Sequence, residues 1–351
     1  MKYNYLLLLV VTASLFCDSP EIRNLPKVPQ QYQDLVVNGN IVKEGVRECS
    51  ARYEAIKPLF EKYDRPITVL DLGAAEGYFS FRLAHDFPHA TCVMIEAGYS
   101  QNWNSAKKLK RLCELNTELD NVILLDQRLS NAVLSKLAEC EHFDVILAFN
   151  ILHHIPGNKN TLIKTLRRLG DHVIIETPCD IALETHNALK NYPAKKTLGQ
   201  FKRHTSENGF GQLSHLPGTS KKIAKKAMLM PACNYPIVSN FSEKYLIKQN
   251  RHIPWQAGIN LCTFKCLNGI FPKGTTLIQS LRETDWQTHP DLTLWNIIIQ
   301  GEKLRLIDNK GPPFFKQGEA LAYLELLLST KTLNEFQTTF SNKGLKPKRI
   351  R

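Results

Sequence analysis

Apolar positions along the chain follow changing rhythms. Between residues 30 and 63 they recur at roughly helical spacing. They fall at Tyr32, Leu35, Val36, Ile41 and Val42, then at Tyr53, Ile56, Leu59 and Phe60, which predicts helices leading into a first strand. From residue 67 short continuous apolar runs alternate with amphipathic stretches. Strands are predicted at 67–72, 92–95, 122–125, 145–149 and 172–176, and helices at 78–86, 101–115, 132–138 and 159–169. Short apolar strands separated by helices fit a sheet buried on both faces. The pattern predicts an α/β fold with a Rossmann-like, doubly wound, mostly parallel sheet.

The rhythm weakens between residues 190 and 226. Lys190, Lys195, Lys196, Lys202, Arg203, Lys221, Lys222, Lys225 and Lys226 face a single acid there, Glu207. This reads as an exposed basic connector, or as a clamp in which Arg203, His204 and the Lys221–Lys226 cluster meet phosphate or carboxylate groups. Strand-like runs return in KYLIK (244–248) and NIIIQGEKLRLID (296–308). The expected division is 1–18 as signal peptide or anchor, 19–60 as helical lead-in, 61–180 as the sheet domain, 181–235 as connector and 236–351 as a second, smaller α/β module.

Composition sharpens the picture in three ways. The 351 residues carry 45 Lys and Arg against 33 Asp and Glu, a formal charge of +12, which favours an anionic partner such as nucleic acid, a phosphorylated glycan or an acidic membrane surface. The nine cysteines are scattered without a CxxC pair, which excludes a disulfide framework and a zinc site and leaves no metal expected in the sheet domain. At the N-terminus an apolar run from Leu6 to Phe16 follows Lys2; it has the length of a signal-peptide core and is too short to span a bilayer. Membrane association through residues 1–18 with cytoplasmic domains is the favoured localisation.

Candidate chemistry begins at VLDLGAAEGYFSFRLA (69–84). An apolar strand ends in Asp71, and Gly73 and Gly77 follow before an amphipathic helix. Glycines at such a junction let the backbone turn tightly and let a ligand approach, outside the carboxyl ends of the strands. The third glycine of a pyrophosphate-binding GxGxxG is missing, so the turn suits a ligand without phosphates. VMIEA places Glu96 at the end of the second strand, nineteen residues after Gly77, where a carboxylate can accept both hydroxyls of a ribose. VILLD places Asp126 at the end of the third.

Together with FDVILAFNILHHI (143–155), these residues resemble class I S-adenosylmethionine-dependent methyltransferases over roughly residues 60–180. The resemblance implies S-adenosylmethionine as cofactor. Asp71, Gly73, Ala75 and Gly77 would line its methionine and ribose part, Glu96 would hold the ribose diol, Asp126 and Gln127 would border the adenine, and Asn150 would face the cofactor at the transfer site. The Asn/Asp-Pro-Pro-aromatic element of base-amino methyltransferases is absent after the fourth strand. The Leu-His-His-Ile ending instead resembles enzymes acting on small molecules, lipids or glycans. It offers His153 or His154 as a general base. The expected reaction is O-methylation of a small anionic acceptor, glycan or lipid; methylation of RNA is an alternative.

A second motif lies in HPDLTLWNIIIQGEKLRLIDNKG (289–311). Its His-x-Asp, the Asn five residues after the aspartate and the later Ile-Asp resemble a kinase catalytic loop and metal-binding aspartate. By that resemblance Asp291 would be the base, and Asn296 and Asp308 would bind magnesium with ATP. No Gly-rich phosphate loop precedes the motif, and Pro290 and Asn309 depart from it. The order of the two motifs resembles the bifunctional O-antigen methyltransferase/kinase chain terminators of surface-polysaccharide assembly. The alternatives are therefore a bifunctional enzyme, a phosphotransferase, or a kinase-like remnant that does not turn over ATP.

Overall fold

The structure, a computed structural model, describes residues 20–27, 30–97, 105–203, 209–219, 257–268 and 297–306. Two compact units divide it: residues up to Leu134 together with Phe143–Thr219, and Ser135–His142 together with the chain from Ser220 onward.

The first unit is built on a seven-stranded sheet. Its strands are β3 (Ile67–Leu72), β4 (Ala90–Glu96), β5 (Val122–Asp126), β6 (Phe143–Phe149), β7 (Gly170–Pro178), β8 (Lys196–Lys202) and β9 (Phe210–Pro217), in the order β5-β4-β3-β6-β7-β9-β8. β3 to β7 are parallel, and β9 and β8 add antiparallel. Every residue of β3 and β6 is buried. Central parallel strands covered on both faces tolerate only such unbroken apolar runs, which is why these two were legible without alternation. The crossover helices after these strands are α3 (Tyr78–Asp86), α4 (Ser105–Leu115), α5 (Asn131–Cys140) and α6 (Lys159–Leu169), with α7 (Leu183–Lys190) following β7. The strand order reverses at β3, whose parallel neighbours are β4 on one side and β6 on the other, and that leaves a crevice beyond the strand ends.

Two expectations are corrected. Residues 35–43 are not helical. They form a hairpin of β1 (Leu35–Val37) and β2 (Asn40–Lys43) closed by Asn38-Gly39, with φ +45° and +78°. Two central residues at positive φ are what a tight primed turn requires, and Asn-Gly is its commonest sequence. Leu35, Val36, Val37 and Val42 are buried in the core cluster, so their spacing reflected burial and not a helical turn. Only α2 (Cys49–Phe60), preceded by the short α1 (Pro20–Arg23), fulfils the helical reading of the lead-in. Secondly, residues 196–202 and 210–217 do not form a loose connector. β8 and β9 extend the sheet, and Leu213 and Leu216 join the core.

In the second unit β10 (Ile259–Asn260), β11 (Ile297–Gln300) and β12 (Lys303–Leu306) form a three-stranded antiparallel sheet, with α8 (Leu261–Asn268) following β10. The Glu141 carboxylate accepts from the Asn260 amide at 2.9 Å and the Thr263 hydroxyl at 2.7 Å. Residues 1–18, KYLIK, Lys221–Lys226, His204, Asp291, Asn296 and Asp308 lie outside the described residues. No described helix is long and apolar enough to cross a membrane.

Candidate active site

The turn after β3 carries three residues in the left-handed region: Gly73 at φ +68°, Ala75 at +53° and Gly77 at +77°. The Gly73 and Ala74 amides bond the Ile95 carbonyl at 2.8 and 3.2 Å, which ties the turn to the end of β4. A Cβ on Gly73 would sit 2.7 Å from the Ile151 side chain, so close approach, and not only φ, demands glycine there.

Glu96 faces this turn. One carboxylate oxygen accepts from the Ala75 amide at 2.8 Å and the other from the Ser105 hydroxyl at 3.0 Å. Burial raises its pKa against these bonds. Asp126 pairs with Glu96 across β5 and β4 and is exposed beyond the cavity. The Gln127 amide donates to the Glu96 carbonyl at 3.2 Å.

Asp71 does not line the cavity. It is buried and accepts from the Ser80 hydroxyl on α3 at 2.8 Å. Burial pushes its pKa up to about 7, with Ser80 and Arg47 opposing and Glu96 adding to the rise. Gly77 also stays out of the lining, and the amide following it, Tyr78, is taken by the Gln33 side chain at 3.1 Å. That amide at the helix start is therefore satisfied within the chain.

The cavity holds about 520 Å³, inside the range of roughly 300–1,000 Å³ usual for organic ligands. Gly73, Ala75, Glu96, Asn150, His153 and His154 all line it, so these predicted residues are brought together. Asn150 has φ +55° and donates its amide to the Glu176 carbonyl at 3.1 Å. Its side-chain oxygen is buried with no hydrogen-bond partner among the described residues. His153 and His154 sit in one 3-10 turn with ring centroids 3.9 Å apart. Burial, with His154, Arg203 and Lys159 nearby, lowers the His153 pKa to about 4.

Sequence reasoning anticipated Arg203 as a clamp residue but missed the Arg47 and Arg52 part of the cationic wall. Arg47 and Arg52 are buried and share the buried Glu176: Arg47 contacts one carboxylate oxygen, and the Arg52 Nε bonds both at 2.9 and 3.0 Å. Burial alone would raise the Glu176 pKa; the two guanidinium groups outweigh it and hold it low. The Arg47 guanidinium also lies over the Tyr32, Phe79 and Phe149 rings at 5.3–5.8 Å. Lys202 and Arg203 add two more basic side chains, and Arg203 is paired with Asp180. A signal for Arg52 existed: with Cys49, Tyr53, Ile56 and Phe60 it falls on the buried face of α2. Glu76 was also overlooked inside the quoted motif. Its carboxylate accepts from the Gln33 amide at 3.2 Å and lies 3.5 Å from Lys108, so it fastens residues 31–33 to the turn.

These residues fit S-adenosylmethionine. Glu96 has the charge and position for a diol. The orphaned Asn150 oxygen suits an ammonium group, and two guanidinium groups sharing one carboxylate leave a net positive charge for a carboxylate. The doubly wound sheet, the turn and the facing acid define a class I methyltransferase domain. Residues 70–173 match the family described as methyltransferase domain. Two curated relatives, both described as the O-antigen chain terminator bifunctional methyltransferase/kinase WbdD of Escherichia coli, are each 30% identical over 136 residues. Those residues are 37% of this chain and 18% of the relative, so the chain spans under one fifth of their length. Among solved structures, a co-crystal of WbdD with a kinase inhibitor has TM-score 0.45 at 17% identity, covering 93% of this chain and 95% of that one. A SAM-dependent methyltransferase of Agrobacterium tumefaciens has TM-score 0.38 at 13% identity, covering 55% and 72%.

Proposed function

We propose that the chain methylates an acceptor oxygen that is already anionic, a carboxylate or phosphate carried on a glycan or lipid. The observation that carries this reading is the His153 environment. An imidazole with a pKa of about 4 is neutral at pH 7 and a weak base, so it is poorly matched to removing a proton from an alcohol. An ionised oxygen needs no base, and Lys202 at the cavity wall, beside the Arg203–Asp180 pair, provides charge to hold it. His153 then serves as a hydrogen-bonding and positioning group.

S-adenosylmethionine, when bound, supplies a methyl group on a positively charged sulfur. The chain's part is to hold and orient: Arg47 and Arg52 toward the cofactor carboxylate, Asn150 toward its ammonium, Glu96 toward its ribose, and the basic wall toward the acceptor. The relatives' description as methyltransferase/kinases motivates a second arm. Asp291, Asn296 and Asp308 would serve a phosphotransferase, and we propose that this motif does not turn over ATP at a useful rate, because no phosphate-covering glycine loop precedes it.

One preparation tests both readings. Methyl-labelled cofactor is offered with phosphorylated, carboxylated and neutral oligosaccharides and with RNA, and phosphate transfer from labelled ATP is measured in parallel. Methyl incorporation confined to the anionic saccharides is expected. Methylation of neutral sugars at equal rate, or of RNA alone, would reject the anionic-saccharide reading. ATP-dependent labelling abolished by Asp291→Ala and spared by Glu96→Ala would establish a kinase.

A further inference from the structure

A second cavity of about 380 Å³ lies toward the other end of the strands that bear the first. β7 contributes Pro178 to the methyl-transfer cavity and His172, near its start, to this one; α2 and β8 likewise pass both, through Arg52 and Lys202 on one side and Leu59 and Lys196 on the other. Two imidazoles on neighbouring antiparallel strands meet here. His172 Nδ1 and His215 Nε2 are 3.0 Å apart, with the rings inclined at 40°. Tyr63 stands edge-on to His172 at 6.5 Å, and its hydroxyl is buried without a hydrogen-bond partner among the described residues. Lys62 and Lys196 are exposed lining residues, while Ala55, Ile56, Leu59 and Leu198 make an apolar side. No carboxylate is among the lining residues; Asp144 and Asp171 are near enough to act on Tyr63, and Asp144 is engaged by Arg65.

Methyl transfer uses none of these groups, yet they share one character. In the imidazole pair one ring donates and the other accepts, so the accepting ring keeps its proton on its outer nitrogen as a further donor. The phenol is a donor lacking an acceptor. Two ammonium groups add positive charge, which disfavours a metal cation on the two histidines. We propose that this cavity binds a small organic anion with an apolar part. Its carboxylate or phosphate faces Tyr63, the His172/His215 pair and the lysines, and its hydrocarbon lies against α2 and Leu198.

The test is calorimetric titration of the full chain, saturated with S-adenosylhomocysteine, using octanoate and octyl phosphate. Octanol and inorganic phosphate serve as probes lacking the charge or the chain. Saturable binding of one or both amphiphilic anions is expected, about tenfold tighter than either control. Tyr63→Phe, which removes only the hydroxyl, and Lys196→Gln, at an exposed position, should each weaken it about threefold or more and leave S-adenosylhomocysteine affinity unchanged. Binding of only one head group identifies which anion the site takes. Absence of saturable binding, octanol binding as tightly as the anions, or wild-type affinity in both variants would overturn the proposal.

Discussion

At the scale of single residues the two acids of the nucleotide-facing strands have parted roles. Glu96 faces the cavity and Asp71 faces Ser80 on α3. Glu96→Ala removes a charged acceptor worth about 1.5–3 kcal/mol, so S-adenosylhomocysteine affinity should fall about tenfold to a hundredfold in a calorimetric titration of the folded variant. Asp71 makes a different prediction. Its folded pKa, about 7, lies above the ordinary value of 3.8, so the native state holds a proton that the unfolded chain has released. The resulting stabilisation is complete below the unfolded pKa and is lost as pH rises toward the folded one. Asp71→Asn should abolish that slope. The melting temperature of the variant relative to wild type should climb between pH 4.5 and pH 7.5, by the equivalent of a few kcal/mol at most; a constant difference would show that Asp71 is ionised in the fold. Both residues were visible in the sequence as strand-end acids. Which way each side chain turns was not, because that depends on where α3 and α4 pack.

At the scale of elements the central strands were legible because their burial is continuous, and so were the helices whose apolar stripes face them. The N-terminal hairpin and the β8–β9 pair were not. In the first, apolar residues in adjacent positions mimicked a helical period although Asn38-Gly39 announced the turn. In the second, β8 is an edge strand with no fully buried position, and its Lys196 and Lys202 stand among other basic residues, so the pair read as a connector. The long-range contacts that tie α2 to the sheet include ion pairs. Glu176 on β7 binds Arg47, ahead of α2, and Arg52 within it. Glu176→Gln would leave two buried guanidinium groups without a counter-charge. A loss of about 3–5 kcal/mol in denaturant unfolding is expected, together with weakened cofactor binding. A loss below about 1 kcal/mol would mean water solvates the pair.

At the scale of the whole molecule the formal charge of +12 acquires a location. The described cavity gathers Arg47, Arg52, Lys202 and Arg203, set against Glu76 and Glu96 in its lining and against the paired Glu176 and Asp180. If the acceptor is an anion drawn in by that field, raising the salt from about 0.05 to 0.5 M should lower kcat/KM several-fold and leave kcat nearly constant. A neutral acceptor would show no such dependence. The acceptor itself was not legible in the sequence, since its wall is assembled from α2, β6, β7 and β8, which are distant in the chain and meet only in the folded sheet.

The hold of Glu76 on residues 31–33 has a practical corollary for anyone who would excise or transplant this catalyst. The borders of the family match, 70–173, are not the borders of the described cavity. A piece cut there loses Tyr32, Arg47 and Arg52 from one rim of the cavity and Glu176, Lys202 and Arg203 from the other. It retains the glycine turn but opens it to water, and exposes the core face that Leu35, Val36 and Val42 had sealed. Such a piece should precipitate or bind S-adenosylhomocysteine too weakly to detect, whereas residues 20–219 carry every described side chain of the pocket but cut Glu141 from its Asn260 and Thr263 donors.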